Sequence, residues 1–92
     1  MAFTTTELQA NTWTLVANNA TTITFQNSSQ WPIYVNVTAN TTEPAETVGI
    51  IYKPWDGELK KTVNGLAVAN GAFVWARSMS KAGKIVVDSD GS

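Results

Sequence analysis

The chain of 92 residues contains no cysteine and no histidine. The missing cysteines exclude disulfide bridges and thiolate metal sites, and the missing histidines remove the commonest ligand of zinc, copper and non-haem iron. We therefore expect no metal and no cofactor. Small domains usually compensate for a thin core with disulfides, metals or oligomerisation. Only oligomerisation remains open here, so we expect a homo-oligomer.

Charge is also scarce. The chain has 6 basic and 7 acidic residues, and charged residues make up 14% of it, against roughly 25% in a typical soluble domain. No basic run is longer than Lys60-Lys61, so no positive field attracts a phosphate backbone and we expect no nucleic-acid binding. A weakly charged surface suits docking on another protein, because few ions must be desolvated. A threonine-rich β protein without a partner would have the same composition.

Long apolar runs are absent as well. The apolar stretches cover only a few residues, whereas a membrane-spanning helix needs about 20. Residues 1–6 have neither the basic nor the apolar part of a secretory signal. We therefore expect neither membrane association nor export.

Short runs of alternating apolar and polar residues begin at Thr12. This alternation is typical of half-buried strands, and no window repeats apolar residues at helical spacing over three turns. The fold class predicted is all-β: a small antiparallel β-sandwich or barrel of roughly seven to eight short strands. The predicted strands cover residues 12–17, 20–26, 32–38, 48–53, 59–63, 66–69, 72–77 and 84–88.

Turn residues separate these runs. Asn18-Asn19 predicts a turn, because Asn tolerates the left-handed backbone region. The sequence Pro54-Trp55-Asp56-Gly57 predicts a tight turn in which Gly57 is free to take a positive φ. Asn64-Gly65 is the strongest two-residue hairpin signal in the chain.

The alternation also sets the predicted boundaries of the domain. Residues 1–11 are polar except for Phe3 and Leu8, and we interpret them as an extended N-terminal arm that is either disordered or reaches a neighbouring subunit. Residues 12–88 form a single β domain in this prediction, and residues 89–92 form a C-terminal tail.

Catalytic chemistry has few candidates in this composition. Without histidine, acid–base catalysis would need a carboxyl group in a desolvating setting, and the acidic residues lie in loops and at the C-terminal end. Asp56 and Glu58 share a turn, so an oxygen-ligand calcium site is conceivable there, but the spacing falls well short of an EF-hand loop. We predict no catalytic residues and no enzyme activity.

Tryptophan is abundant, with four residues in the chain. Trp13 and Trp75 lie within predicted strands and are expected to pack in the core. Trp31 and Trp55 lie at turns, where three interpretations are open. Each ring could cover the end of the sandwich, contact a subunit or partner, or stack on a sugar.

The order of features from FQNSSQ and WPIYVNV through GIIYKPWDG to AFVWARS and KIVVD resembles a known class of proteins. These are the small all-β accessory proteins encoded among the virion genes of tailed bacteriophages, particularly those that decorate or cement the head. Tail-associated phage proteins share the same pattern. The resemblance carries no motif by which individual functional residues could be transferred.

The resemblance implies a non-enzymatic protein made in the host cytoplasm and located on the capsid surface of the virion. Its partner would be the major capsid protein or another virion protein, bound in many copies and often as a trimer. We expect the partner-binding residues to be Phe3, Leu8, Trp31 and Trp55. The alternatives are a tail- or fibre-associated β module and a carbohydrate-binding module in which Trp55, Trp31 and Tyr34 form a stacking platform.

Overall fold

The computed structural model of the chain describes residues 3–66 and 71–90. These residues form eight β-strands and one 3₁₀ helix, Val63–Gly65. No helix in the described ranges is long and apolar enough to cross a membrane. The strands are β1 (Thr4–Leu8), β2 (Thr14–Ala17), β3 (Thr22–Asn27), β4 (Ile33–Thr38), β5 (Ile50–Tyr52), β6 (Gly57–Thr62), β7 (Phe73–Ser78) and β8 (Gly83–Ser89).

The strands form two four-stranded sheets, in the orders β1-β8-β3-β6 and β2-β7-β4-β5. We call them the first and the second sheet. All pairs are antiparallel, and they are nested: β1 pairs with β8, β2 with β7, β3 with β6 and β4 with β5. A chain paired from its two ends inward and then rolled into two sheets has the jelly-roll topology. The all-β prediction is confirmed, and the architecture is a sandwich.

The core lies between the two sheets. Alternate residues of each strand point inward, because successive side chains of a strand point to opposite faces. β4 shows the pattern most clearly, since Ile33, Val35 and Val37 are buried while the residues between them are half-exposed. β3, β7 and β8 complete the core with Ile23, Phe25, Val74, Ala76, Ile85 and Val87.

Trp13 and Trp75 are buried, as the sequence predicts, but they do not lie between the sheets. Trp75 follows the inward-facing Val74 in β7 and therefore points to the outer face of the second sheet. The long loop of residues 39–49 crosses this face, where the Trp13 Nε1–H donates to the Glu46 carbonyl at 2.9 Å. The Asn36 side chain donates to the Val48 carbonyl at 3.2 Å. The two rings therefore belong to an outer layer beneath this loop.

The structure places residues 4–8 in a strand and not in a free arm. β1 pairs with β8 over its whole length, from Thr4 opposite Val87 to Leu8 opposite Gly83. Leu8 is completely buried in the core, so its predicted role as a partner-binding residue is wrong. Phe3 lies just before β1 and is 61% exposed. Residues 1 and 2 of the predicted arm lie outside the described residues.

The C-terminal segment also belongs to the sandwich. β8 extends to Ser89, one residue beyond the predicted domain boundary. Asp90 follows it, and its carboxylate accepts hydrogen bonds from the N–H groups of Thr21 at 2.8 Å and Thr22 at 3.1 Å. Two residues of the predicted tail therefore fasten the end of β8 to the start of β3, and residues 91 and 92 lie outside the described residues.

Three predicted turns have different outcomes. Asn19 has a φ of 56°, which confirms the left-handed turn after β2. In the turn after β5, Trp55 takes the positive φ of 71°, so the prediction of a left-handed Gly57 is wrong. Asn64-Gly65 belongs to the 3₁₀ helix, so the prediction of a two-residue hairpin turn at this position is wrong. Of the strand predicted at 66–69, residues 67–69 lie outside the described residues.

Candidate functional site

Four connections of the sandwich meet at one end of the molecule. They are residues 9–13, 28–32, 53–56 and 79–82, and they join β1 to β2, β3 to β4, β5 to β6 and β7 to β8. The jelly-roll pairing brings them together, because Leu8 lies opposite Gly83, and Gln26 lies opposite Gly57. Further hydrogen bonds tie the connections to one another, such as Met79 N–H donating to the Pro32 carbonyl at 3.0 Å.

Asn27 is the central residue of this end. It is completely buried at the last position of β3. Its Nδ2 donates to the carbonyls of Trp31 at 2.8 Å and Tyr52 at 3.1 Å, and its Oδ1 accepts from the backbone N–H and the hydroxyl of Ser29. Two donor and two acceptor positions are all that a carboxamide offers. The side chain therefore satisfies its full hydrogen-bonding capacity by joining the connection 28–32 to the end of β5.

The backbone of Asn27 fixes the turn that carries Trp55. Its N–H donates to the Asp56 carbonyl, and its carbonyl accepts from the Trp55 N–H, both at 2.8 Å. The turn itself is closed by Asp56 N–H donating to the Lys53 carbonyl at 3.0 Å. Trp55 is the third residue of this four-residue turn, the position that has a positive φ in a type II turn and normally holds Gly or Asn.

Gly57 serves a different purpose from the one predicted. A Cβ atom at this position would lie 1.9 Å from the Phe25 carbonyl oxygen and 2.7 Å from the Gln26 Cα. The residue therefore has to be Gly because the start of β6 passes very close to β3. This contact holds the Trp55 turn against the end of the first sheet.

Trp31 and Trp55 line one open groove of about 450 Å³ at this end of the sandwich. Trp55 is 63% exposed, and Trp31 is half-exposed with Lys81 Nζ 5.4 Å from its ring centroid, a cation–π contact. Glu7 and Lys84 also line the groove and lie opposite each other in β1 and β8. The groove therefore carries two indole rings and a balanced pair of charges.

The structure brings together two of the four residues predicted to bind a partner, Trp31 and Trp55. Leu8 is in the core, and Phe3 lies before the first residue of β1, at the opposite end of the strand from the groove. Tyr34, predicted as part of a sugar platform, points to the outer face of the second sheet and does not line the groove. The predicted three-ring platform is therefore reduced to two rings.

Asn27 is the important residue that sequence reasoning missed. It directly follows the predicted strand 20–26, where the sequence Asn27-Ser28-Ser29 predicts a turn, but Ile23, Phe25 and Asn27 are all buried at alternating positions of β3. An amide that continues an inward-facing apolar series is a signal for a buried polar residue with a full set of partners.

Glu58 has a structural role, which removes it from the conceivable calcium site with Asp56. Its carboxylate accepts a 3.0 Å hydrogen bond from the Tyr52 hydroxyl. Burial raises the pKa of Tyr52 well above its ordinary value, and the hydrogen bond to Glu58 and the charge of that carboxylate raise the pKa further. The phenol therefore stays protonated and donates to Glu58. Within residues 3–66 and 71–90, no three acidic side chains are grouped so that they could hold a metal ion.

Comparison with known proteins identifies no relative. The chain matches no family model, and no curated protein and no solved structure is significantly similar to it.

Proposed function

We propose that the chain is a non-enzymatic accessory protein of a tailed-phage virion, which docks on the major capsid protein and stabilises the head lattice. The docking end is the one that carries Trp31 and Trp55. The observation that carries the proposal is the state of Trp55, a large aromatic residue that is both exposed and held at a positive φ.

Both features of Trp55 are unfavourable in the isolated domain. A bulky residue at positive φ is a steric outlier, costing roughly 1–2 kcal/mol, and an exposed indole keeps a large apolar area in water. Strain of this kind is concentrated at sites of function. Trp is also among the residues enriched in binding hot spots. A partner that covers the ring would remove this apolar area from water. That gain would account for the exposed position of the ring on the turn.

The scaffold beneath the ring fits a docking role. The turn is fastened to β3 by the backbone of Asn27, whose side chain also holds the Trp31 loop. Fixing both rings before binding lowers the entropy lost on docking. Jelly rolls are found among viral capsid domains, and this likeness of fold supports the proposal as an analogy only.

Cosedimentation with phage heads tests this proposal. The probe is the expanded head of the encoding phage, lacking accessory protein. We expect the wild-type chain to saturate the heads, and Trp55→Ala to reduce affinity at least about thirtyfold, which corresponds to a hot-spot loss of about 2 kcal/mol. Leu59→Ala is the matched control, because Leu59 is 79% exposed on β6 and does not line the groove.

Two results would contradict the proposal. If the wild-type chain fails to bind heads, or binds only to tails, the capsid role is wrong. If Trp55→Ala and Leu59→Ala bind equally well, the groove is not the docking site.

A second candidate, carbohydrate binding, is favoured by one specific observation. Trp31 and Trp55 share the groove with three uncharged polar residues, Ser28, Ser29 and Gln30. Indole rings beside uncharged polar side chains suit a neutral sugar, whose ring stacks on the aromatic face while its hydroxyl groups hydrogen-bond. Binding on an array of neutral glycans, lost in both Trp31→Ala and Trp55→Ala, would support this candidate. An array without binding, together with bound heads, would reject it.

A further inference from the structure

The four edge strands of the sandwich differ in how well they are protected from pairing. Exposed edges invite pairing with other chains, and proteins block them with bulges, lysines, proline or very short strands. β6, at one edge of the first sheet, has a register shift against β3, Lys60 at a φ of 51°, and Lys61 beside it. In the second sheet, β2 has a register shift and β5 has only three residues.

β1, the other edge of the first sheet, carries a single charged residue, Glu7, and none of the other devices. Its five residues pair with β8 in one unbroken register, and its sequence, TTTEL, contains no proline and no lysine. All its described φ values are negative. Within the described residues, no loop hydrogen-bonds to the free side of this strand. β1 is therefore an open, regular edge in which three of the five residues are threonine, a residue enriched in strands.

We propose that β1 is a self-association surface, at which the β1 strand of a second copy pairs in the antiparallel direction. The first sheets of two copies would then join into one continuous sheet across a two-fold axis. Such a contact is isologous and closes at two copies. It goes beyond the docking function proposed above and does not depend on it.

The sequence of β1 is self-complementary in this arrangement. With Thr6 on the two-fold axis, Thr5 lies opposite Glu7 of the second copy, and Thr4 lies opposite Leu8. No two like charges are opposed, which would destabilise a cross-strand pair. Glu7 also lies opposite Lys84 of its own chain, on β8. Its negative charge therefore already faces a positive charge within the same molecule. A second copy is thus a partner that this edge accepts without a charge conflict.

The size of the domain favours such a contact. The chain has 92 residues and no cysteine, and a domain of this size has a modest core. A five-residue edge buries less than the roughly 1,200–2,000 Å² of a standard interface. We therefore expect weak self-association, strengthened when many copies are held close together on one surface.

Single-cysteine variants test the pairing directly. Because the chain has no cysteine, any disulfide in such a variant joins two copies. We expect Thr6→Cys to cross-link under mild oxidation at least about tenfold faster than the control, since directly opposed residues of antiparallel strands have the spacing that a disulfide needs. Leu59→Cys is the control, because it is more exposed but lies on the protected edge β6. Thr5→Cys tests the register centred one residue earlier.

Proline variants supply the second measurement. Adjacent N–H groups of a strand point to opposite sides, so one of Thr5→Pro and Thr6→Pro removes a donor from the free edge only. That variant should keep the wild-type fold and lose self-association in sedimentation velocity.

The proposal is overturned if the wild type is strictly monomeric at hundreds of micromolar and neither cysteine variant cross-links faster than Leu59→Cys. It is also overturned if both folded proline variants still self-associate. Head binding by a folded monomeric variant would show that docking and self-association are separate properties.

Discussion

The N–H of Trp55 donates a 2.8 Å hydrogen bond to the carbonyl of Asn27, and the carboxamide of the same Asn27 donates to the carbonyl of Trp31. One buried residue therefore fixes the two loops that carry the exposed aromatic rings. The two tryptophans are 24 residues apart in the sequence, and they share a groove because both loops are hydrogen-bonded to the end of β3.

Replacing Trp55 with glycine should separate stability from binding. Gly adopts the positive φ of this position without the steric penalty of a bulky side chain, although it loses more entropy on folding. We expect the free energy of unfolding to change by less than about 1 kcal/mol, because these two effects oppose each other. Partner binding should be lost. Urea denaturation and head cosedimentation on the same variant measure the two quantities.

A ring that covered the core would behave differently. In that case Trp55→Gly would cost about 3–5 kcal/mol, as for a large buried side chain. Such a loss of stability, with binding per folded molecule unchanged, would contradict the interface interpretation.

Replacing Asn27 should weaken both the fold and the site. Asn27→Ala removes the Nδ2 donor from the carbonyls of Trp31 and Tyr52 and the acceptor from the Ser29 N–H, and a buried unsatisfied polar group costs about 1–3 kcal/mol. We expect the urea midpoint to fall accordingly, and binding per folded molecule to fall because the Trp31 loop is no longer held. Asn40→Ala is the control, since Asn40 is exposed and its side chain accepts one hydrogen bond among the described residues, from the Thr42 N–H. Equal effects of the two substitutions would contradict the central role of Asn27.

Gly57 and Gly65 should respond oppositely to alanine. The Cβ of Gly57→Ala would meet the Phe25 carbonyl oxygen at 1.9 Å, and the backbone cannot yield cheaply, so we expect a loss of about 2–4 kcal/mol. The Cβ of Gly65→Ala would meet only the flexible end of the Lys61 side chain, at 3.4 Å. That variant should be neutral or slightly more stable. Thermal denaturation compares them, and a stable Gly57→Ala variant would refute the close approach of β6 to β3.

The sequence predicted most of the strands but missed β1. β2, β3, β4, β7 and β8 alternate in polarity strongly enough to be located within a few residues. β1 is Thr4–Leu8, and its inward positions are held by Thr4, Thr6 and Leu8. Two threonines and a single leucine give no apolar period, and the partner strand β8 is distant in the sequence. Only the long-range pairing reveals this strand.

The site was predicted in part, for a similar reason. Trp31 and Trp55 could be selected as aromatic residues at turns, because local sequence locates turns. Their meeting in one groove depends on the nested strand pairing, which local patterns do not determine. The positive φ of Trp55 could not be predicted, because residue propensity assigns the positive φ of a turn to glycine, here Gly57. The close approach of β6 to Phe25 instead decides where the glycine is needed.

The last prediction concerns Asp90 at the opposite end of the sandwich. The N–H groups of Thr22 and Thr21 lower the pKa of the Asp90 carboxyl below its ordinary value. The folded state therefore favours the charged form, so the contribution of this contact to stability is fully present above the unfolded pKa of about 3.9. It is lost as the pH falls through the lower, folded pKa.

NMR titration of the amide protons measures this linkage. The N–H signals of Thr21 and Thr22 should move together as the pH falls below about 4, with a midpoint below that of an ordinary aspartate. In Asp90→Asn, which keeps an acceptor oxygen but cannot ionise, this titration should disappear from both signals while the sandwich stays folded. If the two signals titrate in the variant as in the wild type, another acid controls them and Asp90 does not fasten β8 to β3.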